Sequence, residues 1–436
     1  VSRRGFIFLP ETRVGPIVDA AAEDLPTSGP KAAEIGRASD RPSIVVLPFD
    51  NLSGDPTQSF FSDGITDDII TDLSRYRELF VIARQSAFAF GDAGRSALDF
   101  ADALGVAYVL EGSVRRHQDR VRVTAQLIDV QTKSTLWADR FNRKVEDIFD
   151  VQEEIATVIV NTLIGQVSLR HYRQIQKNTA NAISAYEHSV KAQQQIWKFS
   201  RESAALARQE AEMAIQLEPD FARAHAILGW AHHIEGSNGW GDNLDNPFDL
   251  ALEHAKSAVA ADPNEPWGHC VLGFTLWWRG QARDFGRGLE EVQHAVRLNP
   301  SNAHFRMIVG ATLAYMGNGD AALSEIDAAM RFNPLFPSLY LIHRSRALFV
   351  SGRYQEALAD AEKAAIEMPS HANVLALLAV CYTELGREDQ ASSAIEALRQ
   401  ASPSFTVDYV RKTLPFAQEK DLDRMCQRLA EAGLPN

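Results

Sequence analysis

Apolar positions follow two rhythms along this chain, and the change between them divides it. From Ser43 to about Phe141 they come in short runs or in strict alternation. Ser43–Phe49 and Leu79–Ala83 are continuous apolar runs of the kind a buried strand carries. Ala107–Val114, Val121–Val130 and Thr135–Phe141 alternate apolar and polar residues. Turns at Gln118-Asp119 and at Gln131–Lys133 separate them, so this stretch predicts a three-strand meander with one buried face. Helical spacing fills about 65–76 and 97–104 and returns from about 151 to 167. Together these elements predict an α/β domain. Beyond it the pattern is helical throughout.

That second half is also periodic. Pro219, Pro263, Pro300, Pro334, Pro369 and Pro403 follow one another at gaps of 44, 37, 34, 35 and 34 residues. Ten residues after successive prolines stand Gly229, Gly273, Gly310, Arg344 and Ala379. Five before them stand Ala214, Ala258, Ala295, Ala329 and Ala364, and twelve before them Ala207, Ala251, Gly288, Ala322, Ala357 and Ala391. Turn glycines follow the first helices at Gly280, Gly317, Gly352 and Gly386. Small residues at fixed places let two helices approach closely, and a proline cannot continue a helix. The region from about Ser184 to Phe405 resembles the tetratricopeptide (TPR) family. The resemblance implies a solenoid of about six helical hairpins with a concave binding face.

Three departures from the period carry information. The gap of 44 holds an insertion at Gly236–Asp245, which marks the repeat most open to specialisation. Arg344 stands where a small residue is expected, predicting a splayed repeat or an arginine turned to the surface. Asp421–Leu429 reads as an amphipathic helix able to close the last exposed core.

Composition narrows the function. A net charge of −13 argues against a chain-wide nucleic-acid surface and leaves room only for a local basic element. Cys270, Cys381 and Cys426 have neither framework nor metal spacing, which suits a reducing cytoplasm. No apolar run is long enough to span a bilayer, and Val1–Pro10 lacks the apolar core of a signal peptide.

The strings Leu47–Asp55 (LPFDNLSGD), Phe61–Ile65 (FSDGI), Tyr108–Val114 (YVLEGSV) and Leu136–Phe141 (LWADRF) resemble the TolB-type N-terminal domain of bacterial regulators. In that family the domain commonly precedes TPR repeats. It follows either a winged-helix DNA-binding domain or a class III nucleotide-cyclase domain. Val1–Phe8 (VSRRGFIF) resembles the last hairpin of an OmpR-type winged helix, where Arg3 and Arg4 would approach DNA in an intact regulator. The expected chain is therefore an α+β multidomain protein, a TolB-like N-terminal α/β domain followed by an all-α TPR solenoid. Its parts are a wing remnant at 1–14, a flexible linker at 15–41, the TolB-like domain at 42–166, about six TPR-like repeats at 167–405 and capping helices at 406–436.

Candidate chemistry is sparse. Asp63, Asp67, Asp68 and Asp72 invite a metal, but Asp63 as a helix cap and the others as first-turn or solvent carboxylates explain them more simply. His225, His232, His233, His254 and His269 lack the cysteine or carboxylate that would complete a zinc set. There is no nucleophile elbow, phosphate loop or HExxH. No catalytic residue, metal or cofactor is expected. The solenoid's inner face should receive Arg223, Trp230 and His233, then Trp267, Phe274 and Trp278, then His304, Met307 and Tyr315, then Ser345. Aromatic residues at helical spacing are core first, with a groove for a peptide or apolar ligand as the competing reading. The expected function is a non-enzymatic signal-input and protein-interaction region of a bacterial transcriptional regulator. Its partner is a protein or peptide on the concave face, with DNA only through an upstream winged helix, no membrane and a homodimer left open. The alternatives are the regulatory region of a class III adenylate or guanylate cyclase and a standalone scaffold.

Overall fold

The computed structural model describes residues 42–76, 79–89, 96–164, 180–198, 200–238, 240, 246–278 and 284–436. The wing remnant with Arg3 and Arg4, the linker, Gly280 and much of the 236–245 insertion lie outside the described residues.

The α/β domain is built on one sheet. Its strands are β1 (Ser43–Val46), β2 (Asp50–Asn51), β3 (Phe80–Val81), β4 (Tyr108–His117), β5 (Arg120–Asp129) and β6 (Thr135–Lys144). They lie in the order β3-β1-β4-β5-β6, with β2 beside β4. β1 is parallel to both neighbours, in register Ile44↔Val81 and Val45↔Val109. All four of its residues are buried, as a parallel strand covered on both faces requires. The meander is antiparallel, aligning Val114 with Val123 and Val123 with Phe141. Helices α1 (Ser59–Ser74), α2 (Arg84–Phe88), α3 (Ala97–Leu104) and α4 (Ile148–Ile164) complete the domain, α1 and α4 packing on each other and on the sheet.

Helix α1 begins six residues before the expected start, because Phe61 and Ile65 lie on the same buried face as Ile69 and Leu73. Asp63 therefore sits inside the helix rather than capping it. Asp55 caps the preceding turn instead, its carboxylate accepting from Thr57 N at 2.9 Å.

Six helical hairpins follow: α5/α6 (Ala180–Ile196, Arg201–Leu217), α7/α8 (Ala222–Ser237, Pro247–Ala261), α9/α10 (Pro266–Trp278, Phe285–Leu298), α11/α12 (Ala303–Tyr315, Gly319–Phe332), α13/α14 (Leu339–Val350, Tyr354–Glu367) and α15/α16 (Ala372–Glu384, Glu388–Ala401). The small residues are contact points. A Cβ on Gly273 would meet Gly288 O at 2.5 Å, and one on Gly310 would meet Ala322 O at 3.0 Å. Gly317, Gly352 and Gly386 have φ of +84°, +75° and +70°, the left-handed turn that follows a first helix.

Arg344 neither splays its repeat nor escapes. The segment Leu335–Ser338 delays α13, which starts five residues after Pro334, whereas α11 starts three after Pro300. Ser345, not Arg344, thereby takes the close-contact position. Its hydroxyl is fully buried and donates to Ala357 O at 2.8 Å, twelve residues on, as Gly310 faces Ala322. Arg344 turns aside to bridge Asp327 (2.8 Å) and Asp360 (2.7 Å). Beyond the hairpins, α17 (Val407–Thr413) and α18 (Glu419–Glu431) fold back. α18 packs on α15 through buried Met425, Cys426 and Leu429, while Phe416 lies against Tyr315.

Candidate functional site at the inner face and the domain junction

The α/β domain and the hairpins share a core. Tyr186 and Val190 of α5, Ala303 of α11 and Phe332 of α12 are buried among the side chains of the α/β domain. Two polar clamps hold this contact. In the first, Asp68 on α1 accepts from Arg223 at the start of α7, from the Tyr186 hydroxyl at 2.5 Å and from Gln152 Nε2 at 3.0 Å. Arg223 also reaches Gln193 at 2.5 Å and Asp67 at 3.7 Å, and Arg84 approaches Asp67 at 3.6 Å. Burial raises the pKa of Asp67 although Arg84 and Arg223 oppose it. Burial alone would lower that of Arg223, but the charges of Asp68 and Asp67 outweigh it and hold the guanidinium charged. Burial, and then the charge of Asp68, hold the Tyr186 hydroxyl protonated.

In the second clamp Phe80 stacks on Phe332, centroids 4.6 Å apart. Around that stack, Ala83 N donates to Phe332 O at 2.8 Å, Ser86 Oγ to Asn333 Oδ1 at 2.5 Å, and Ser301 Oγ to Leu79 O at 3.2 Å. The domain is thus fastened at two widely separated places in the repeats.

This geometry redistributes the residues expected on the inner face. Arg223 is committed to Asp67 and Asp68, and Ser345 to a helix contact. Trp230, Trp267 and His304 converge with Trp197, which the sequence did not single out. Trp230–Trp267, Trp267–His304 and Trp197–His304 centroids stand 6.1, 5.1 and 5.6 Å apart. The cluster continues through His233, whose ring lies 5.3 Å from Trp230 and 4.4 Å from Phe274, to Trp277 and Tyr315. Trp230, His233, Phe274, His304 and Tyr315 are buried, Trp230 at 6% and Tyr315 at 2% exposure, and Met307 is fully buried. Most of the inner face is therefore aromatic core, touching across four repeats because the solenoid is tightly curved. Trp267 and Trp278 remain half-buried.

The cluster opens at one end. Between the α7–α8 hairpin and α17 lies a cleft of about 380 Å³, lined by Phe248, Trp278 and Tyr409 with Ser237, Asn246 and Asp249 among its polar residues. Phe248 stacks on Trp278 at 5.9 Å. Asn246 has φ of +53°, a left-handed conformation that asparagine tolerates better than most residues, and it leads into α8. The cleft borders the insertion in the 44-residue gap. Tyr409 was invisible to the repeat pattern because α17 lies outside it.

Burial pushes His233 and His304 down to about 3 and so holds them neutral. His225 and His232 do lie on one side, both against His254. Among the described residues no group of three or more histidine, cysteine, aspartate or glutamate side chains could hold a metal ion. The same residues include no helix long and apolar enough to cross a membrane.

Two family profiles match the chain. Residues 348–409 match a tetratricopeptide repeat, and residues 39–158 match the second domain of HilA/YgeH-like transcriptional regulators. The Rhizobium meliloti (strain 1021) protein named "Putative adenylate cyclase 3" is 42% identical over 226 residues, which is 52% of this chain and 38% of that protein. "Phagocyte signaling-impaired protein" of Aedes aegypti is 32% identical over 82 residues, 19% of this chain and 9% of that one. The chain thus spans well under half the length of either relative. Among solved structures, a thermophilic TPR protein of Thermus thermophilus shares 20% identity over 48% of this chain and 99% of its own, with a TM-score of 0.35. TolB from Acinetobacter baumannii shares 23% over 29% of each chain, with a TM-score of 0.23.

Proposed function

We propose that this chain is the non-catalytic regulatory half of a larger bacterial regulator, taking a protein or peptide on its repeats and transmitting that event through the α/β domain. The observation that carries this reading is the junction. Arg223, on the first turn of a repeat helix, is clamped by buried carboxylates of α1, while Phe332 and Asn333, two hairpins further on, are clamped by β3 and α2. A change in solenoid curvature cannot leave both clamps unstrained, so the α/β domain senses it. Transmission requires that the partner bind one curvature better than another.

The place for a partner is the cleft beside Trp278, where the aromatic cluster is open. An apolar or aromatic side chain of a peptide would stack there, with backbone groups meeting Ser237 and Asn246. DNA contact through an upstream winged helix belongs to the same proposal.

Two outputs fit this regulatory half. The HilA/YgeH-like match over the α/β domain favours transcription, and the long match to the cyclase-named relative favours cyclic-nucleotide synthesis. The reading frame immediately upstream of Val1 separates them: a helix-turn-helix pattern supports the first and a cyclase core the second. The regulatory claim has its own test. In the intact protein, Arg223→Met should change output, read as reporter transcription or cyclic-nucleotide formation, with the protein level held equal. Unchanged output would end the coupling reading whichever output domain is found.

A further inference from the structure

The open face of the meander carries a charge that the rest of the chain does not. Strand pairing places residues of β4, β5 and β6 side by side in rows on the face turned away from the buried core. The outermost row is His117, Arg120 and Lys144, and the next is Arg115, Arg122 and Asn142. Ser113, Thr124 and Arg140 form the third. The alternate residues Val114, Val121, Val123 and Phe141 are buried beneath. Five formal positive charges thus occupy three rows of a protein whose net charge is −13. Lys144 pairs with Glu146 at 2.8 Å. Among the described residues no ion pair engages Arg115, Arg120, Arg122 or Arg140, and Arg115 reaches only the carbonyl of Leu52 at 3.2 Å. The acidic neighbours are Asp119 in the hairpin tip, Glu146 and Asp147 beside Lys144, Asp50 beside Ser113, and Glu111 one row further, which accepts from Gln126.

Like charges directly opposite on neighbouring strands destabilise a sheet, and Arg115 faces Arg122. Lysine or arginine on β6 alone would be the ordinary protection of an edge strand. Arg120 and Arg122 on β5, which is paired on both sides, are not explained that way.

We propose that this face docks the phosphate backbone of DNA, without reading its sequence. All nine side chains in the three rows can donate hydrogen bonds, and phosphate oxygens only accept them. The rows contain no apolar side chain and no phenylalanine, tyrosine or tryptophan, so they lack the anchor that a stable protein interface centres on and offer only the small ring of His117 for stacking. Rows lie about 7 Å apart along the strands and the strands about 5 Å apart, giving a flat surface of roughly 10 by 14 Å. Such a surface meets a run of phosphates better than a pocketed ligand. The proposal concerns the opposite module from the cleft and does not depend on what the repeats bind.

The test uses the purified chain and a short fluorescent DNA duplex of arbitrary sequence, followed by anisotropy, with polyglutamate as competitor. With about four phosphates neutralised, affinity should fall about 100-fold between 50 and 200 mM salt. Arg120→Glu/Arg122→Glu should weaken binding at least tenfold at low salt. Arg399→Glu/Lys420→Glu, on the last hairpin and the helix that caps it, the same change in net charge, should weaken it less than threefold. Circular dichroism confirms folding, and Arg120→Gln/Arg122→Gln provides a milder pair expected to fall between. The proposal is overturned by no binding at 50 mM salt, by equal loss in the two reversed pairs, or by polyglutamate binding more tightly than the duplex. That last result would assign the face to an acidic protein segment instead.

Discussion

Replacing Arg223 by methionine removes the positive charge from the first clamp and keeps much of the side-chain volume. Asp67 and Asp68 would then face each other inside the junction, with Arg84 at 3.6 Å from Asp67 as the cationic neighbour that remains. The side chains of Arg223 and Asp68 are 17% and 11% exposed, so solvent replaces little of the lost interaction. Breaking a buried pair from one side costs about 3–5 kcal/mol. Tyr186→Phe removes one hydrogen bond to the same carboxylate and should cost about 1.5–3 kcal/mol. The double variant Arg223→Met/Asp68→Leu removes both charges and should recover part of the loss, because an apolar pair of similar volume often matches a buried ion pair, while the Tyr186 hydroxyl and Gln152 lose their acceptor.

Because the chain has more than one module, a single unfolding midpoint would mix several events. Amide exchange of α1 and α5 isolates the junction. At tenfold per 1.4 kcal/mol, Arg223→Met should speed exchange there by about two to three and a half powers of ten. The amides of β5, remote from the clamp, should change less. The reasoning fails if Arg223→Met exchanges within threefold of the parent, or if the double variant is no slower than the single one.

Three further outcomes follow from the same packing. Gly273→Ala would force a Cβ against Gly288 O and Val292, and should destabilise the α9/α10 hairpin by about 1–3 kcal/mol, read as faster amide exchange of α9 and α10; exchange equal to the parent's would refute the close contact. Trp230→Ala should cost about 3–5 kcal/mol as a core deletion, while Trp278→Ala at the half-open cleft should cost less than about 2 kcal/mol and instead impair peptide capture from a displayed library. Equal stability losses would remove the distinction between core and cleft. His233 and His304 have folded pKa values depressed to about 3, so the unfolded chain binds more protons and their contribution is complete above about pH 6.5 and lost as pH falls. Between pH 6.5 and 5 the two should together remove on the order of 4 kcal/mol. His269, where burial lowers the pKa but hydrogen bonds with Glu291 and the Pro263 carbonyl and the nearby negative charges together outweigh it, acts in the opposite direction. A solenoid equally stable at pH 7 and pH 5 would contradict the buried neutral assignment.

What the sequence made legible was whatever a period can express. The prolines and the small columns located the hairpins, and alternation located β4, β5 and β6, because each is a local demand that one strand or one helix pair makes on its own residues. Arg344 shows where that logic slips. Counting from Pro334 assumes a fixed turn, and the longer turn at Leu335–Ser338 moved the contact to Ser345. The candidate site was less legible for a stronger reason. Trp230, Trp267 and His304 carry the helical spacing of an inner face, but whether such a face is groove or core depends on curvature, which sums small rotations over many repeats. Here the sum is large enough to bring Trp197 and His304 into contact, and the groove closes into core except beside Trp278. The junction was illegible altogether. Asp68 lies 155 residues from Arg223, and Phe80 is still further from Phe332, so no window along the chain contains either pair. Asp67 and Asp68 looked like part of a metal invitation or a solvated face because Arg223, which holds both, belongs to the other half of the molecule. A buried acidic pair on one module therefore needs to be weighed against unpaired arginines on every other module before it is read as chemistry. In this chain that comparison turns an apparent metal site into a fastening between the repeats and the α/β domain.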